Sequence, residues 1–251
     1  MHNRIQLVKV KIISYLLSPI FALVFFLLLL LFHPLQWIGL KVFGRNGHQA
    51  VVDVMNWFLV KSLLILGTTV KVKNTYTLPE NTTLIFVANH QSLFDIPPII
   101  WYFRKHWPKF VSKKELGKGI PSVSFNLRHG GAALIDRKDG KQALAELASF
   151  AKRINENKWS AAIFPEGTRS RTGKPKAFAP NGLKMLLKYN PEALVVPLTI
   201  NNSWKVFKYG KFPLGLFSPI EIITHEPIKA SSLPFNDLIA TVEETVKQSI
   251  K

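Results

Sequence analysis

A histidine and an aspartate five residues apart follow an apolar run at residues 84–88. His90 comes two residues after the run, and Asp95 comes after a short turn. A carboxylate that folds back onto the imidazole Nδ1–H fixes the tautomer and leaves Nε2 free to take a proton from a hydroxyl. The chain has seven histidines, so the pair taken alone fits chance spacing as well as it fits a base with its orienting acid.

A charged turn that contains a glycine follows a second apolar run at residues 161–164. Gly167 would let backbone N–H groups approach an anion, and Arg169 offers a guanidinium fork that matches phosphate oxygens. Arg137, after a third apolar run at residues 132–135, adds another cation. By itself such a turn is more typical of a solvated loop than of a binding site.

Other catalytic devices can be compared with the sequence directly. The stretch from Gly167 to Lys174 resembles a phosphate-binding P-loop, but the gap is one residue too long and Pro175 stands where Ser or Thr is needed. The sequence has no G-x-S-x-G and no G-x-G-x-x-G, and its histidines lack metal-ligand spacing. There is no cysteine, which excludes disulfides, thiolate metal sites and a cysteinyl-acyl intermediate. We expect no metal and no cofactor.

Beyond residue 70 short apolar runs alternate with helical patterns, and these elements must position the chemical groups. Four runs predict buried strands: 84–88, 132–135, 161–164 and 194–200; a fifth, 220–224, alternates and predicts an edge strand. Helices are predicted over 141–154, with Asp139 as N-cap, over 183–189, and near the C-terminus with a cap at Asn236 or Asp237.

This alternation predicts an α/β domain, a single largely parallel sheet flanked by helices, preceded by an N-terminal membrane-embedded helical hairpin. Functional sites in such sheets usually lie just past the carboxyl ends of the strands. The proposed division places membrane-associated helices at residues 1–70 and the α/β domain at residues 71–251.

The N-terminal segment is long enough to enter a bilayer. Residues 12–32 carry no charge, about the length that a spanning helix needs. A cleaved signal peptide is the competing interpretation, but the run is longer than a usual signal core and no small-residue cleavage site follows it. Arg4 and Lys9 precede the run and Lys41 and Arg45 follow it, so charge does not favour a crossing over a hairpin in one leaflet. A second apolar stretch, residues 51–70, is typical of an interfacial helix.

Charge points to anionic partners. Lysine and arginine number 33 against 15 acidic residues, which gives a formal net charge of +18. Such a field attracts lipid headgroups, nucleotides, acidic carrier proteins or nucleic acid, and composition does not choose among them.

Taken together, these motifs resemble those of the glycerolipid acyltransferase family, which includes 1-acylglycerol-3-phosphate acyltransferases. Residues 89–95 match the family block N-H-x-S-x-x-D, and residues 164–170 match F-P-E-G-T-R-S letter for letter. Residues 131–137 and 196–200 resemble the two other blocks, in the family's order. The resemblance covers roughly residues 80–200, and the first and third blocks together are highly specific.

The resemblance implies roles for the matching residues. His90 would be the general base for an acceptor hydroxyl and Asp95 would orient it, with no covalent acyl-enzyme. The acceptor's glycerol phosphate would be bound by Glu166, Gly167, Thr168 and Arg169, with help from Arg137. Lys113 would assist the oxyanion or the phosphate, although an ordinary surface lysine is the alternative. One departure stands after the third block: a phenylalanine–lysine pair followed by a glycine is usual, but residues 178–182 are F-A-P-N-G.

The function that the resemblance implies is transfer of a fatty acyl group from acyl-CoA or acyl-carrier protein to the sn-2 hydroxyl of 1-acylglycerol 3-phosphate. The expected partners are membrane lipids, the lysophospholipid acceptor and the thioester donor, not nucleic acid. The expected location is the cytoplasmic face of a membrane, the inner membrane of a bacterium. Alternatives are another lysophospholipid or glycerol 3-phosphate as acceptor, a non-enzymatic membrane-anchored protein that binds anionic lipids, and a nucleic-acid-binding protein, for which no recognition motif is present.

Overall fold

The computed structural model describes the backbone of residues 2–251 and the side chains from residue 10 onward. The side chains of Arg4 and Lys9, which contribute to the flanking charge of the N-terminal segment, therefore lie outside the described part. Helix α1 spans His2–Ser62 and is broken at Gly44, whose φ of 65° and ψ of −152° are not helical. A short 3-10 turn, Leu63–Leu66, continues it.

The break at Gly44 folds α1 into two antiparallel arms. The rings of Phe32 and Phe58 pack with centroids 5.8 Å apart, and Gln36 Nε2 donates to Met55 Sδ at 3.3 Å. Apolar side chains cover most of the outward surface of the first arm, and only 22% of the most apolar window is buried. The helix is long and apolar enough to cross a membrane, and its two arms form the expected hairpin.

One eight-stranded sheet follows the hairpin, in the order β1-β7-β6-β2-β5-β3-β4, with β8 beside β6. The pairs of β6 with β7 and β8 are antiparallel and the other pairs are parallel. The strands are β1 Val70–Asn74, β2 Leu84–Ala88, β3 Pro108–Lys113, β4 Ala133–Ile135, β5 Ser160–Ile163, β6 Leu194–Asn201, β7 Ile220–Thr224 and β8 Ile228–Lys229. The helices are α2 Ile96–Tyr102, α3 Val123–His129, α4 Gly140–Asn157, α5 Pro180–Tyr189 and α6 Phe235–Gln248.

Strand β2 lies near the middle of the sheet and all five of its residues are buried. Because successive side chains point to opposite faces, Ile85 and Val87 enter the core under α4, α5 and α6, while Leu84 and Phe86 enter the core under α2 and the second arm of α1. Helices thus cover both faces, which explains why the strand is a continuous apolar run rather than an alternating one. The expected α/β fold is confirmed.

Most predicted elements lie within a few residues of their observed bounds, and Asp139 caps α4 by accepting from Gln142 N at 3.0 Å. Two predictions were wrong. The strand at residues 220–224 is not an edge strand, because β1 pairs with it on its outer side. The last helix begins at Phe235 rather than at Asn236 or Asp237. Pro234, with φ of −54° and ψ of 145°, is its N-cap residue, and proline has no N–H that the start of a helix would leave unpaired. Strands β1, β3 and β8 and helices α2 and α3 were not predicted.

Candidate active site

His90 and Asp95 lie at the carboxyl end of β2. The imidazole Nδ1 is 2.8 Å from Asp95 Oδ2, so the carboxylate accepts Nδ1–H and Nε2 is the nitrogen that remains to accept a proton. The side chain of His90 is 15% exposed and that of Asp95 is fully buried. The phenyl ring of Phe164 stacks on the imidazole, with centroids 4.1 Å apart and planes 15° apart. The ring orientation is thus fixed by one ionic hydrogen bond and one stacking contact.

The local chain explains why Asp95 folds back. Ser92 caps a short 3-10 turn at residues 93–95, and its hydroxyl accepts from Phe94 N at 3.0 Å. In return the Asp95 carboxylate accepts from Ser92 N at 2.9 Å and from Gln91 N at 2.7 Å. This reciprocal capping box is a local structure, and it holds the buried charge in place.

A further hydrogen bond to the Asp95 carboxylate comes from a residue distant in the sequence. The hydroxyl of Ser203, in the 3-10 turn after β6, donates to Asp95 Oδ1. Nearby, Asn89 bonds both backbone groups of Ile200, with Nδ2 donating to the carbonyl at 2.9 Å and Oδ1 accepting the N–H at 2.7 Å. The end of β2 is therefore fixed to β6 and to the turn after it. The sequence analysis missed Ser203, because 108 residues separate it from Asp95.

The turn after β5 packs against the His90 backbone. Glu166 Oε1 accepts from His90 N at 2.9 Å, and Oε2 accepts from Lys176 N at 3.0 Å. Ser170 N donates to the His90 carbonyl at 2.7 Å. Burial raises the pKa of Glu166, and the two backbone N–H bonds act in the opposite direction. Both carboxylate oxygens are thus engaged within the protein, which makes Glu166 a brace between the two motifs; its direct contact with an acceptor stays a prediction.

The remaining predicted residues of this turn face solvent. Gly167 has a φ of 68°, a conformation that favours glycine, and a Cβ built there would meet nothing within 4 Å. Thr168 and Arg169 are exposed, and the ammonium of Lys176 lies 2.5 Å from the Thr168 hydroxyl. The turn therefore presents backbone, a hydroxyl and two cations to the space above the sheet. Lys176 was not among the predicted residues.

Lys113 and Arg137 lie at the same edge of the sheet. Lys113 is the last residue of β3 and is paired in register with Ile135, the last residue of β4; Arg137 follows two residues later. Both side chains are exposed, and in the chain from residue 10 onward neither they nor Arg169 form an ion pair. Cations at the ends of β3, β4 and β5 therefore lie on one edge of the sheet with His90, at the end of β2.

An apolar wall adjoins the catalytic turn. The ring of Phe94 makes edge contacts with Phe21 and Phe25 of the first arm of α1, at centroid distances of 5.6 and 5.9 Å. It also stacks on Phe207 at 5.5 Å. The residue before Asp95 is thus packed directly against the hairpin. Among the described residues, no group of three or more His, Cys, Asp or Glu side chains could hold a metal ion.

Curated proteins of known name are similar to part of this chain. The 1-acyl-sn-glycerol-3-phosphate acyltransferase of Borreliella burgdorferi is 29% identical over 146 residues, 58% of this chain and 56% of that protein. The protein of that name in Helicobacter pylori is 33% identical over 126 residues, 49% of this chain and 50% of that protein. The chain thus spans about half the length of these curated relatives.

A solved structure matches this chain over more of its length than these relatives do. The crystal structure of the 1-acyl-sn-glycerophosphate (LPA) acyltransferase PlsC from Thermotoga maritima superimposes with a TM-score of 0.77 and 26% identity, over 95% of each chain. The family model described as Acyltransferase matches residues 69–201, a range that holds His90, Asp95 and the turn after β5. Motifs, geometry and similarity agree, and the chain belongs to the acyltransferase family.

Proposed function

We propose that this protein transfers a fatty acyl group from a thioester to the sn-2 hydroxyl of 1-acylglycerol 3-phosphate, forming phosphatidate. The observation that carries the proposal is the buried Asp95 on His90 Nδ1, which leaves Nε2 available at an edge lined by cations. Relatives named as 1-acyl-sn-glycerol-3-phosphate acyltransferases support this acceptor.

In the proposed mechanism His90 Nε2 takes the proton of the sn-2 hydroxyl as its oxygen attacks the thioester carbonyl. The tetrahedral intermediate collapses, the C–S bond breaks, and the thiolate leaves with the proton that His90 carries. Asp95 stays ionised throughout and stabilises the imidazolium that forms for a moment. Acyl transfer is direct, so no acyl-enzyme forms.

The acceptor phosphate would lie between the turn after β5 and the ends of β3 and β4. Arg169 and Arg137 offer guanidinium forks and Lys113 offers a point charge, for the phosphate or for the developing oxyanion. Gly167 leaves space for a close approach to backbone, and Thr168 adds a hydroxyl. Glu166 would act by holding this turn against the His90 backbone.

The lipid substrates need an apolar approach. The apolar hairpin and the lipid acyltransferase relatives are consistent with membrane association. We propose that α1 is embedded in the membrane and brings the acceptor's sn-2 oxygen to His90 past Phe21 and Phe25. The donor, acyl-CoA or acyl-carrier protein, would approach from the aqueous side, at the cytoplasmic face of a bacterial inner membrane.

The experiment is an acceptor and donor panel with the purified protein in vesicles. Lysophosphatidate, glycerol 3-phosphate and lysophosphatidylcholine are each offered with acyl-CoA and with acyl-carrier protein. We expect product with lysophosphatidate and little with the other two. Faster acylation of glycerol 3-phosphate or lysophosphatidylcholine would overturn the acceptor assignment, and no acyl transfer with any pair would favour a non-enzymatic lipid-binding protein.

A further inference from the structure

The connection between β6 and β7 exposes large apolar side chains that the proposed reaction does not use. It contains residues 204–217, named here the aromatic segment, with the sequence W-K-V-F-K-Y-G-K-F-P-L-G-L-F. Phe212 is 53% exposed and Phe217 is 61% exposed. Their neighbours Leu214 and Leu216 are buried, so the segment is packed and the two phenyl rings project from a fixed base.

The first of these rings lies beside the start of the hairpin. Tyr15 and Phe212 contact edge to face, with centroids 5.4 Å apart, and Tyr15 is itself 48% exposed. The hydroxyl of Ser14 donates to the Leu214 carbonyl, and Leu214 N donates to Ser18 Oγ at 2.8 Å. Two buried serines within an apolar helix therefore fix the aromatic segment to the first arm, and Phe212 extends that arm's exposed apolar surface.

The second ring lies beside the end of the hairpin. Phe217 N donates to the Leu66 carbonyl at 2.9 Å, and its ring covers Gly67, where a Cβ would come within 2.4 Å of the ring. Phe217 has a φ of 53°, a strained conformation for a bulky side chain. This conformation leaves the phenyl ring exposed over Gly67; Leu64, three residues earlier in the chain, is 54% exposed.

The charges of the aromatic segment are all positive. It contains Lys205, Lys208 and Lys211 and no acidic residue. The ammonium groups of Lys208 and Lys11 lie 5.0 and 5.7 Å from the centroid of the Tyr209 ring. Aromatic rings with lysines beside them are typical of the membrane–water boundary, where rings enter the headgroup region and ammonium groups bind lipid phosphates.

We propose that the aromatic segment is a second membrane contact, which inserts Phe212 and Phe217 into the leaflet that holds the hairpin and sets its lysines against anionic headgroups. The proposal rests on the proposed membrane association of α1. Contact with α1 at Tyr15 and with the 3-10 turn that continues α1 at Leu66, together with the absence of acidic residues in the segment, favours a bilayer over a protein partner. This contact would hold the turn that carries Ser203, immediately before the segment, at a fixed height above the lipid.

A cysteine-free chain allows the depth of single positions to be measured by spin labelling. The variants Phe212→Cys and Phe217→Cys report on the aromatic segment. Leu31→Cys, on the exposed face of α1, reports on the hairpin, and Leu144→Cys, exposed on α4, is the aqueous control. Each labelled protein is bound to vesicles of phosphatidylglycerol and phosphatidylcholine, and its accessibility to oxygen and to a water-soluble nickel chelate is compared.

We expect labels at 31, 212 and 217 to lose accessibility to nickel and gain accessibility to oxygen on vesicle binding, while the label at 144 does not change. If the label at 31 enters the bilayer and those at 212 and 217 stay in water, the aromatic segment is not a membrane contact, although the hairpin is. If the label at 31 also stays in water, the proposed membrane association fails as well. Phe212 is exposed, so its replacement leaves the core intact. Phe212→Cys therefore still tests the proposal if Phe217→Cys proves unstable.

Discussion

At the residue scale, the contact between His90 and Asp95 could be predicted because its geometry is local. Five residues separate His90 from Asp95, and a serine-capped turn between them brings the carboxylate back. The contacts that hold this pair were not predictable in the same way. Ser203 reaches Asp95, and Glu166 reaches His90 N, only after the sheet has brought distant strands together. The sequence motif identified Glu166 as a site residue but did not predict its hydrogen-bond partners.

We predict that Ser203→Ala lowers kcat by about tenfold or more and leaves the KM for the acceptor nearly unchanged. The hydroxyl bonds a buried carboxylate, an interaction worth about 1.5–3 kcal/mol, and its loss frees Asp95 to move away from His90. Steady-state kinetics in vesicles measure both constants. Ser160→Ala is the matched control, because Ser160 is also fully buried but its hydroxyl has no hydrogen-bond partner. An equal loss of kcat in both variants would show that Ser203 is merely structural.

A second buried residue provides a test by pH. Lys109 Nζ donates to Gln49 Oε1 at 2.5 Å and lies near the rings of Trp107 and Trp159. Burial lowers the pKa of Lys109 from its usual 10.5 to about 7; Arg45 acts in the same direction and Asp53 opposes it. The unfolded chain keeps this proton up to about pH 10.5 while the folded chain has released it, so the lysine makes stability rise between pH 7 and pH 10.5.

We therefore predict that Lys109→Met stabilises the protein near pH 7 by about 1–4 kcal/mol, and that the gain shrinks as the pH approaches 10. Unfolding in detergent micelles, followed by circular dichroism across this pH range, measures the difference. Lys105→Met, at a side chain that is 74% exposed, is the control and should change little. A gain that does not depend on pH would contradict the assigned cause.

At the element scale, four of the five predicted strands were uninterrupted apolar runs, and the fifth, β7, alternates. Strand β1 was missed because Lys71 and Lys73 alternate with valines, a pattern that suits the exposed edge where it lies. Strand β7 was predicted as an edge because its side chains alternate, but β1 pairs with it on its outer side. Strand β3 was missed because Pro108 and Lys109 interrupt its apolar pattern, although Lys109 is buried. A strand lies at the edge or in the interior of a sheet according to its pairing partners, and these are not a local property of the sequence.

The hairpin depends on a close approach of its arms near the break. A Cβ on Gly47 would lie 2.7 Å from the Gly39 carbonyl oxygen and 2.4 Å from Phe43 Cβ. We predict that Gly47→Ala destabilises the protein by about 1–3 kcal/mol, since the arms must separate. Thermal unfolding in detergent measures the change. Gly182→Ala, in α5 with nothing within 4 Å, should instead be neutral or stabilising by about 0.4–1 kcal/mol. Equal midpoints for the two variants would contradict this packing.

At the scale of the whole molecule, the hairpin and the sheet are packed together. The second arm packs on α2 through the core that holds Val52 and Ile99, so the hairpin shares a core with the sheet. The proposed division between residues 70 and 71 stays a prediction. The +18 charge could be read from composition, but the meeting of Lys113, Arg137 and Arg169 at one edge of the sheet depended on the fold.

We predict that vesicle binding depends on lipid charge. Each lysine or arginine near an anionic surface contributes about 1 kcal/mol, and salt screens this attraction over about 8–10 Å at physiological strength. Sedimentation should therefore show tighter binding to phosphatidylglycerol than to phosphatidylcholine vesicles, with the difference falling as sodium chloride is raised. Equal binding to both lipids at low salt would show that the charge serves another partner.

The central claim is that His90 is the base that deprotonates the acceptor hydroxyl. The measurement that tests it most directly is the rate of phosphatidate formation by the wild-type protein and by His90→Ala, in the same vesicles with saturating lysophosphatidate and acyl-CoA or acyl-carrier protein. Loss of a general base should lower the rate by about 10²–10⁴-fold while binding of lysophosphatidate is retained. A rate equal to that of the wild type would contradict the claim.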